Sequence, residues 1–277
     1  MHQAKEVNHM AQNHIDMGVR RFGRVNWLGL YTLALREVLR FFNVWTQTLL
    51  APMVTAGLFL VIFTIAVGTR RGDVLGVPFL TFIAPGVLMM TIIQNAFANT
   101  SSSLVISKVQ GNIVDTLMPP LSATELVLGY MAGAVVRGVC IAVLLWLGLQ
   151  VTIGIGLAHP VLALAYAVLG AALLGGLGIV AGVYANKFDQ MAAITNFIVT
   201  PLAFLSGSFY SITALPKVLH DITLFNPIFY LIDGLRYSVI GISDQPVALS
   251  LSVSVVSVVA VAGLAWVLFK TGYRLKS

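Results

Sequence analysis

Six apolar runs, each of about twenty residues or more, follow one another along this chain, at about 46–68, 79–106, 124–152, 160–184, 191–210 and 247–269. A helix that crosses the roughly 30 Å hydrocarbon layer needs about 20 such residues, because each adds only about 1.5 Å. The runs therefore predict an all-α polytopic membrane protein with six transmembrane helices. Composition agrees: of 277 residues, 58% are hydrophobic and only 9% are charged, against about 25% charged in an ordinary soluble domain. There is too little charge to coat a soluble enzyme and too much apolar content for a disordered chain, and the pattern is not that of a collagen-like fibre. The single cysteine, Cys140, lies in an apolar run, so no disulfide framework or cysteine-based metal site is expected.

The segments between the runs have their own character. Residues 1–26 are polar, carry His2, His9 and His14, and read as a disordered tail. They lack the short apolar core of a signal peptide, which would keep them on the side of synthesis. In 27–45, Trp27, Leu30, Tyr31, Ala34, Val38, Phe41 and Trp45 recur at steps of three or four, with Arg36, Arg40 and Asn43 on the other side. This spacing predicts an amphipathic helix lying in the membrane interface. Residues 107–121 break the apolar pattern. They predict a short surface helix with Gln110, Asn112 and Asp115, ended by Pro119-Pro120. Ser122 and Glu125 then have the spacing of a capping box for the next helix. Residues 211–245 are too polar to span simply, and predict two short helices joined at Asn226-Pro227 that dip back into the membrane. Gly129-xxx-Gly133 and Gly178-xxx-Gly182 mark faces where helices approach closely.

Charge provides a test of orientation. Lys5, Arg20, Arg21, Arg24, Arg36, Arg40, Lys108, Lys187, Lys270, Arg274 and Lys276 fall on the side shared by both termini, and Arg70, Arg71, Lys217 and Arg236 on the other. The positive-inside rule puts both termini in the cytoplasm. Arg137 alone is placed deep in the bilayer. It either pairs with an acceptor inside the bundle or meets an anionic substrate. On the second run, Gln94, Asn95, Asn99 and Thr100 to Ser103 form a polar ladder that is costly to face with lipid, so it should face a neighbouring helix or a wet cavity.

Several chemistries are missing. No Gly-Lys pair occurs, so no phosphate-binding loop of the G-x-x-x-x-G-K-[ST] kind exists. The Ser206-Gly207-Ser208 segment has no histidine within a span to act as base. No catalytic, cofactor-binding or metal-binding residue is expected, and the chain reads as a non-enzyme. An ion-gradient-driven secondary transporter is the alternative, weakened because no acidic residue lies near mid-membrane and no repeat is clear.

The order of elements resembles the membrane subunit of ABC-2 type transporters. The likeness is carried above all by Ser206-Gly207, Leu215-Pro216, Pro227-Ile228-Phe229-Tyr230 and Arg236, and also by the segment from Val109 to Leu128 with Pro119-Pro120 and Thr124-Glu125. It extends over nearly the whole chain from about Trp27. It is strongest toward small YadH-type bacterial inner-membrane permeases, and more distant toward lipo-oligosaccharide and O-antigen export permeases. The resemblance implies a six-span domain over 46–277, a permease homodimer in the inner membrane, and two separate ABC ATPase subunits that bind ATP and Mg. It further implies that the 27–45 helix and the 107–121 coupling helix dock those ATPases, with Arg36, Arg40, Gln110, Asn112 and Asp115 as candidates. The implied pathway is bordered by the first, second and fifth spans, with Asn95, Asn99, Ser102 and Asn196 as candidates. Phe204, Phe209 and Tyr210 are the candidate outer gate. The implied activity is outward movement of a glycan, a lipid-linked or an amphipathic molecule.

Overall fold

A computed structural model describes residues 25–68 and 73–274. The expected N-terminal tail up to residue 24, the Arg70-Arg71 turn and Lys276 lie outside the described residues. Those described form helices and connecting turns, with one isolated bridge between Val74 and Val77 and no strand.

Helix α1 is Trp27–Phe42. Asn26 caps it by accepting from the Gly29 N–H at 2.9 Å. Helix α2, Ala51–Phe63, is extended at both ends by π-helical turns, Thr46–Leu50 and Thr64–Gly68. Helix α3 is Phe79–Val109, and α4 is the short Ile113–Leu117. Helix α5, Ala123–Ile153, begins with the expected capping box between Ser122 and Glu125 and ends at Gly154 in the left-handed conformation. Helix α6 is Pro160–Tyr184. A continuous helical run then joins α7, Phe188–Ile194, a π turn, Thr195–Val199, and α8, Thr200–Phe204. Helices α9, Lys217–Phe225, and α10, Pro227–Ile240, meet at Asn226, and α11 is Val247–Thr271.

Among the described residues, five helices are long and apolar enough to cross a membrane: Thr46–Ala66, α3, α5, α6 and α11. The run expected over 191–210 is displaced and shorter. It begins at Phe188 and stops at Phe204, which makes it about 25 Å long, just under a bilayer core. Beyond Leu205 the chain turns through Gly207, whose φ of +70° suits glycine.

Helix α3 is the central post, packed between α5 and α6 and touched by α10. Small residues set these distances. A methyl group on Gly178 would strike the hydroxyl of Thr100 and the carbonyl of Phe97, and one on Gly182 would meet Leu104. The Thr100 hydroxyl donates to the Gly175 carbonyl at 2.7 Å, satisfying a polar group where helices touch. The Gly129 and Gly133 face abuts α1 rather than another span: their added methyls would meet Leu33 and Glu37. By contrast, α2 and α11 bury few of their residues within the chain.

Candidate functional site

The residues singled out above collect in two places. The first is where α1 crosses the ends of α3 and α5. The helix turns Leu33, Glu37 and Phe41 inward, while Trp27, Tyr31 and Trp45 of the expected apolar stripe stay exposed. The stripe is apolar on a broader arc than the buried one, because only part of it meets protein. Arg36 and Arg40 flank the inward face instead of opposing it. Between them, the Glu37 side chain is fully buried.

Every polar atom of that carboxylate is engaged. Oε1 accepts from the Ser103 hydroxyl at 2.8 Å and from Arg36 Nη2 at 3.1 Å, and Oε2 accepts from Arg40 Nε at 3.4 Å. The two arginines reach onward. Arg36 Nη1 donates to Thr116 Oγ1 on α4 at 2.9 Å, and its Nη2 approaches the Tyr130 hydroxyl on α5 at 3.4 Å. Arg40 Nη2 donates to the Asn99 carbonyl at 2.6 Å and to Asn99 Oδ1 at 3.1 Å, and its Nη1 donates to Ser102 at 3.3 Å. One carboxylate thus ties four helices together through charge-assisted bonds. The contact is reinforced at the start of α1, where the Asn26 N–H donates to Glu125 Oε1 at 2.6 Å and Asn26 Nδ2 donates to the Pro120 carbonyl at 3.3 Å.

Gln110, Asn112 and Asp115 are exposed on and beside α4. Between α1 and α4 runs a groove of about 330 Å³, lined by Leu28, Thr32, Arg36, Asp115, Pro119 and neighbours. Of the residues named for docking, Gln110, Asn112 and Asp115 face outward, Arg36 is exposed at the groove while also bonded within the chain, and Arg40 is half-buried among its partners.

The second place is a cleft of about 510 Å³ between the first apolar helix, α3 and the 188–204 run. It is lined by Gln47, Thr55, Thr91, Gln94, Asn95 and Thr200 among apolar Ala51, Pro52, Ala56, Phe59, Val87 and Met90, with Phe204 and Phe209 also in the wall. Asn95 is therefore at the cleft. Asn99 is buried and Ser102 half-buried, and both are bound to Arg40. Asn196 is exposed on the π turn and is not in the lining. Phe204 and Phe209 pack in a tilted pair, 5.5 Å between ring centres, and the Tyr210 hydroxyl reaches the Phe204 carbonyl at 3.5 Å. Phe59 and Phe63 complete the aromatic cluster, at 5.2 and 5.5 Å from Phe209.

Arg137 pairs with acceptors inside the bundle. Its Nη2 donates to Asn95 Oδ1 at 2.7 Å and to the Thr48 carbonyl at 3.4 Å, so it is anchored in the bundle and sits directly behind the cleft wall. Glu37, Phe59, Phe63 and Gln47 were not legible as site residues. For Glu37 there was a signal, since it lies four residues from both Leu33 and Phe41 and so shares their face.

A match to the family described as ABC-2 type transporter covers residues 29–240. The chain belongs to this family. Among its relatives, the inner membrane transport permease YadH of Escherichia coli K12 is 36% identical over 91% of this chain and 98% of that protein. The YadH permease of Shigella flexneri matches to the same extent. Nodulation protein J of Rhizobium leguminosarum bv. viciae is 27% identical over 82% of this chain and 85% of that protein. The chain is accordingly a multi-pass membrane permease of an ABC transporter and not itself the ATPase, in a family that works with ABC ATPase partners.

Proposed function

We propose that this permease exports an amphipathic substrate across a bacterial inner membrane, driven by separate ATPase subunits docked at α4. The observation that carries this reading is the bonded path from exposed α4 into the bundle: Thr116 to Arg36, Arg36 to Glu37, Glu37 to Arg40 and Ser103, and Arg40 to Asn99 on α3. A push on α4 reaches a spanning helix through charge-assisted bonds rather than through a loose loop. The α1 and α4 end is the cytoplasmic one in this reading, because it carries most of the basic residues. Both termini are then cytoplasmic, and the exposed Trp27, Tyr31 and Trp45 rest in the interface.

The 188–204 run, with the turn after it, serves as the sixth crossing, and α9 and α10 form the re-entrant cap. Two copies pair to close the pathway, whose protein wall includes the cleft with Asn95 and the Phe59, Phe63, Phe204 and Phe209 cluster as outer gate. Asn196 would face the second copy. ATP and Mg belong to the two partner subunits, with Gln110, Asn112, Asp115 and the groove beside α4 as their seat. Arg40 transmits within the permease, and Arg36, which lines that groove, both meets the partner and passes the push to Glu37.

The test is reconstitution in proteoliposomes with and without the copurified ATPase. ATP-dependent, outward-directed transport that needs both proteins is expected, with ATPase activity stimulated only in the complex. Transport by the permease alone under a proton or sodium gradient would replace this reading with a secondary carrier.

A further inference from the structure

The donors left over from the two sites gather behind one end of the cleft. Arg137 is 8% exposed and stands about 21 Å along α5 from Ala123, well inside hydrocarbon depth. Its Nε is buried without an acceptor. Among the described residues no carboxylate lies within ion-pair distance of it. Asn99 Nδ2, one helical turn beyond Asn95, is also buried without an acceptor, its Oδ1 being taken by Arg40. Glu37 is already shared by Arg36 and Arg40. This neighbourhood is rich in donors and positive charge and short of acceptors. An intramembrane guanidinium normally has a counter-charge, because the uncompensated ion is costly at that depth.

Arg137 does not itself line the cleft, but it is one hydrogen bond away from it through Asn95. Asn95, which accepts from Arg137, lines that cleft, as does Gln47 beside Thr48, the other acceptor. The rest of the wall is largely apolar, through Ala51, Pro52, Ala56, Phe59, Val87 and Met90. A polar, cationic end and an apolar trough suit a molecule built the same way. We infer that the Asn95 end of the cleft is a binding subsite for an oxyanion, phosphate or carboxylate, carried on an apolar tail, with Arg137 supplying the charge. The planar guanidinium presents paired donors that match either oxyanion. On entry, the headgroup takes Arg137 donors from Asn95 Oδ1, while the Asn95 amide, which donates to the Thr91 carbonyl at 2.9 Å, keeps that side chain at the cleft wall. The inference rests on the cleft being the pathway of the proposed exporter, and it names the substrate class.

The experiment uses the purified full-length permease in dodecyl maltoside, without ATPase, titrated with dioleoyl phosphatidic acid, oleate or dioleoylglycerol while the thermal midpoint is followed. A ligand that binds the folded form raises the midpoint saturably. Phosphatidic acid or oleate is expected to do so and dioleoylglycerol is not, and the better of the two anions identifies the headgroup. Arg137→Gln is expected to weaken the anion's apparent affinity at least tenfold, and Arg137→Lys to keep part of it. Ala51→Trp, at an exposed position in the cleft wall, leaves Arg137 in place and is expected to give a similar loss by filling the trough. It keeps the test alive if Arg137→Gln fails to fold. An equal response to dioleoylglycerol, or anion binding within twofold of wild type in Ala51→Trp or Arg137→Gln, overturns the subsite. Anion binding that survives alongside gradient-driven transport by the permease alone would remove the exporter and leave the subsite standing.

Discussion

The two ends of the bundle are held by ion clusters of opposite design. At the α1 end, one carboxylate, Glu37, is held between two arginines whose side chains remain 45% and 30% exposed. At the far end, one arginine, Arg236, stands between Asp233 at 3.7 Å and Asp244 at 3.6 Å, and all three side chains are essentially sealed from solvent. Arg236 also donates to the Gly207 carbonyl at 2.5 Å and packs over the Phe82 ring at 4.1 Å. Asp233 accepts the backbone N–H groups of Asp244 and Gln245, at 2.7 and 3.1 Å, and Asp244 accepts the Ser211 hydroxyl. The far cluster pins α10, the 205–212 turn and the approach to α11 into one block. The near cluster joins four helices through groups that can exchange partners with water. A sealed cluster suits a fixed cap, and a half-open one suits a joint that must change shape.

The largest effect expected from breaking this contrast is in the sealed cluster. Arg236→Ala leaves two aspartates buried without their counter-charge, and removing one partner of a buried pair costs about 3–5 kcal/mol. The variant is expected to lose most of its folded, monodisperse fraction in fluorescence-detected size-exclusion chromatography. A normal elution profile and melting midpoint would show that the cap does not depend on this arginine.

Glu37→Gln removes the charge at the open joint and keeps its shape. Arg36 and Arg40 can turn to water, so the stability loss should stay near about 1–3 kcal/mol. The path to Asn99 is cut, however, and transport coupled to ATP hydrolysis is expected to fall at least tenfold while ATPase activity persists. Parallel losses of folding and transport would reduce Glu37 to a structural group.

Two glycines sharpen the same comparison at smaller scale. In Gly86→Ala the new methyl collides with the Ser208 backbone carbonyl, which the sealed cap holds in place, since Ser208 is itself buried. In Gly133→Ala the new methyl lies 2.5 Å from Glu37 Cβ, on an α1 that can shift away. Gly86→Ala is expected to lower the melting midpoint more than Gly133→Ala, and Gly133→Ala to reduce coupled transport more than its stability loss explains. The reverse order would contradict the assignment of rigid and movable ends.

Legibility in the sequence followed the same division. Spans read well where an apolar run coincides with a helix that also packs, as for 160–184, which is reproduced residue for residue. The bounds of the fifth run read less well because its apolar content continues through Leu205 while Gly207 bends the backbone away. Hydropathy does not record that bend. Asn226-Pro227 was readable because proline and a capping asparagine act locally. Glu37 was only half-readable: its spacing puts it on the face of Leu33 and Phe41, but its Ser103 partner comes from a distant helix. Asn95, Asn99 and Ser102 share one helix face, and that periodicity was visible. Their separate fates, with Asn95 at the cleft and the others bound by Arg40, depend on where α1 lies.

The smallest effect on the fold is expected at the outermost point of the open joint. Gln110 and Asp115 are exposed, and Gln110 Oε1 has only Asn112 Nδ2 as a partner, at 3.3 Å. Substituting both with alanine should leave stability within about 0.5 kcal/mol of wild type, as surface changes do. If α4 is where the ATPase seats, the double variant still weakens copurification of the ATPase and lowers its stimulation by the permease, because the affected contacts exist only in the complex. Expression, elution profile and melting midpoint serve as internal controls. Unchanged copurification and transport in the double variant would move the docking surface off α4. It would leave the Glu37 joint as internal bracing, and the asymmetry between the two ends would then reflect packing alone.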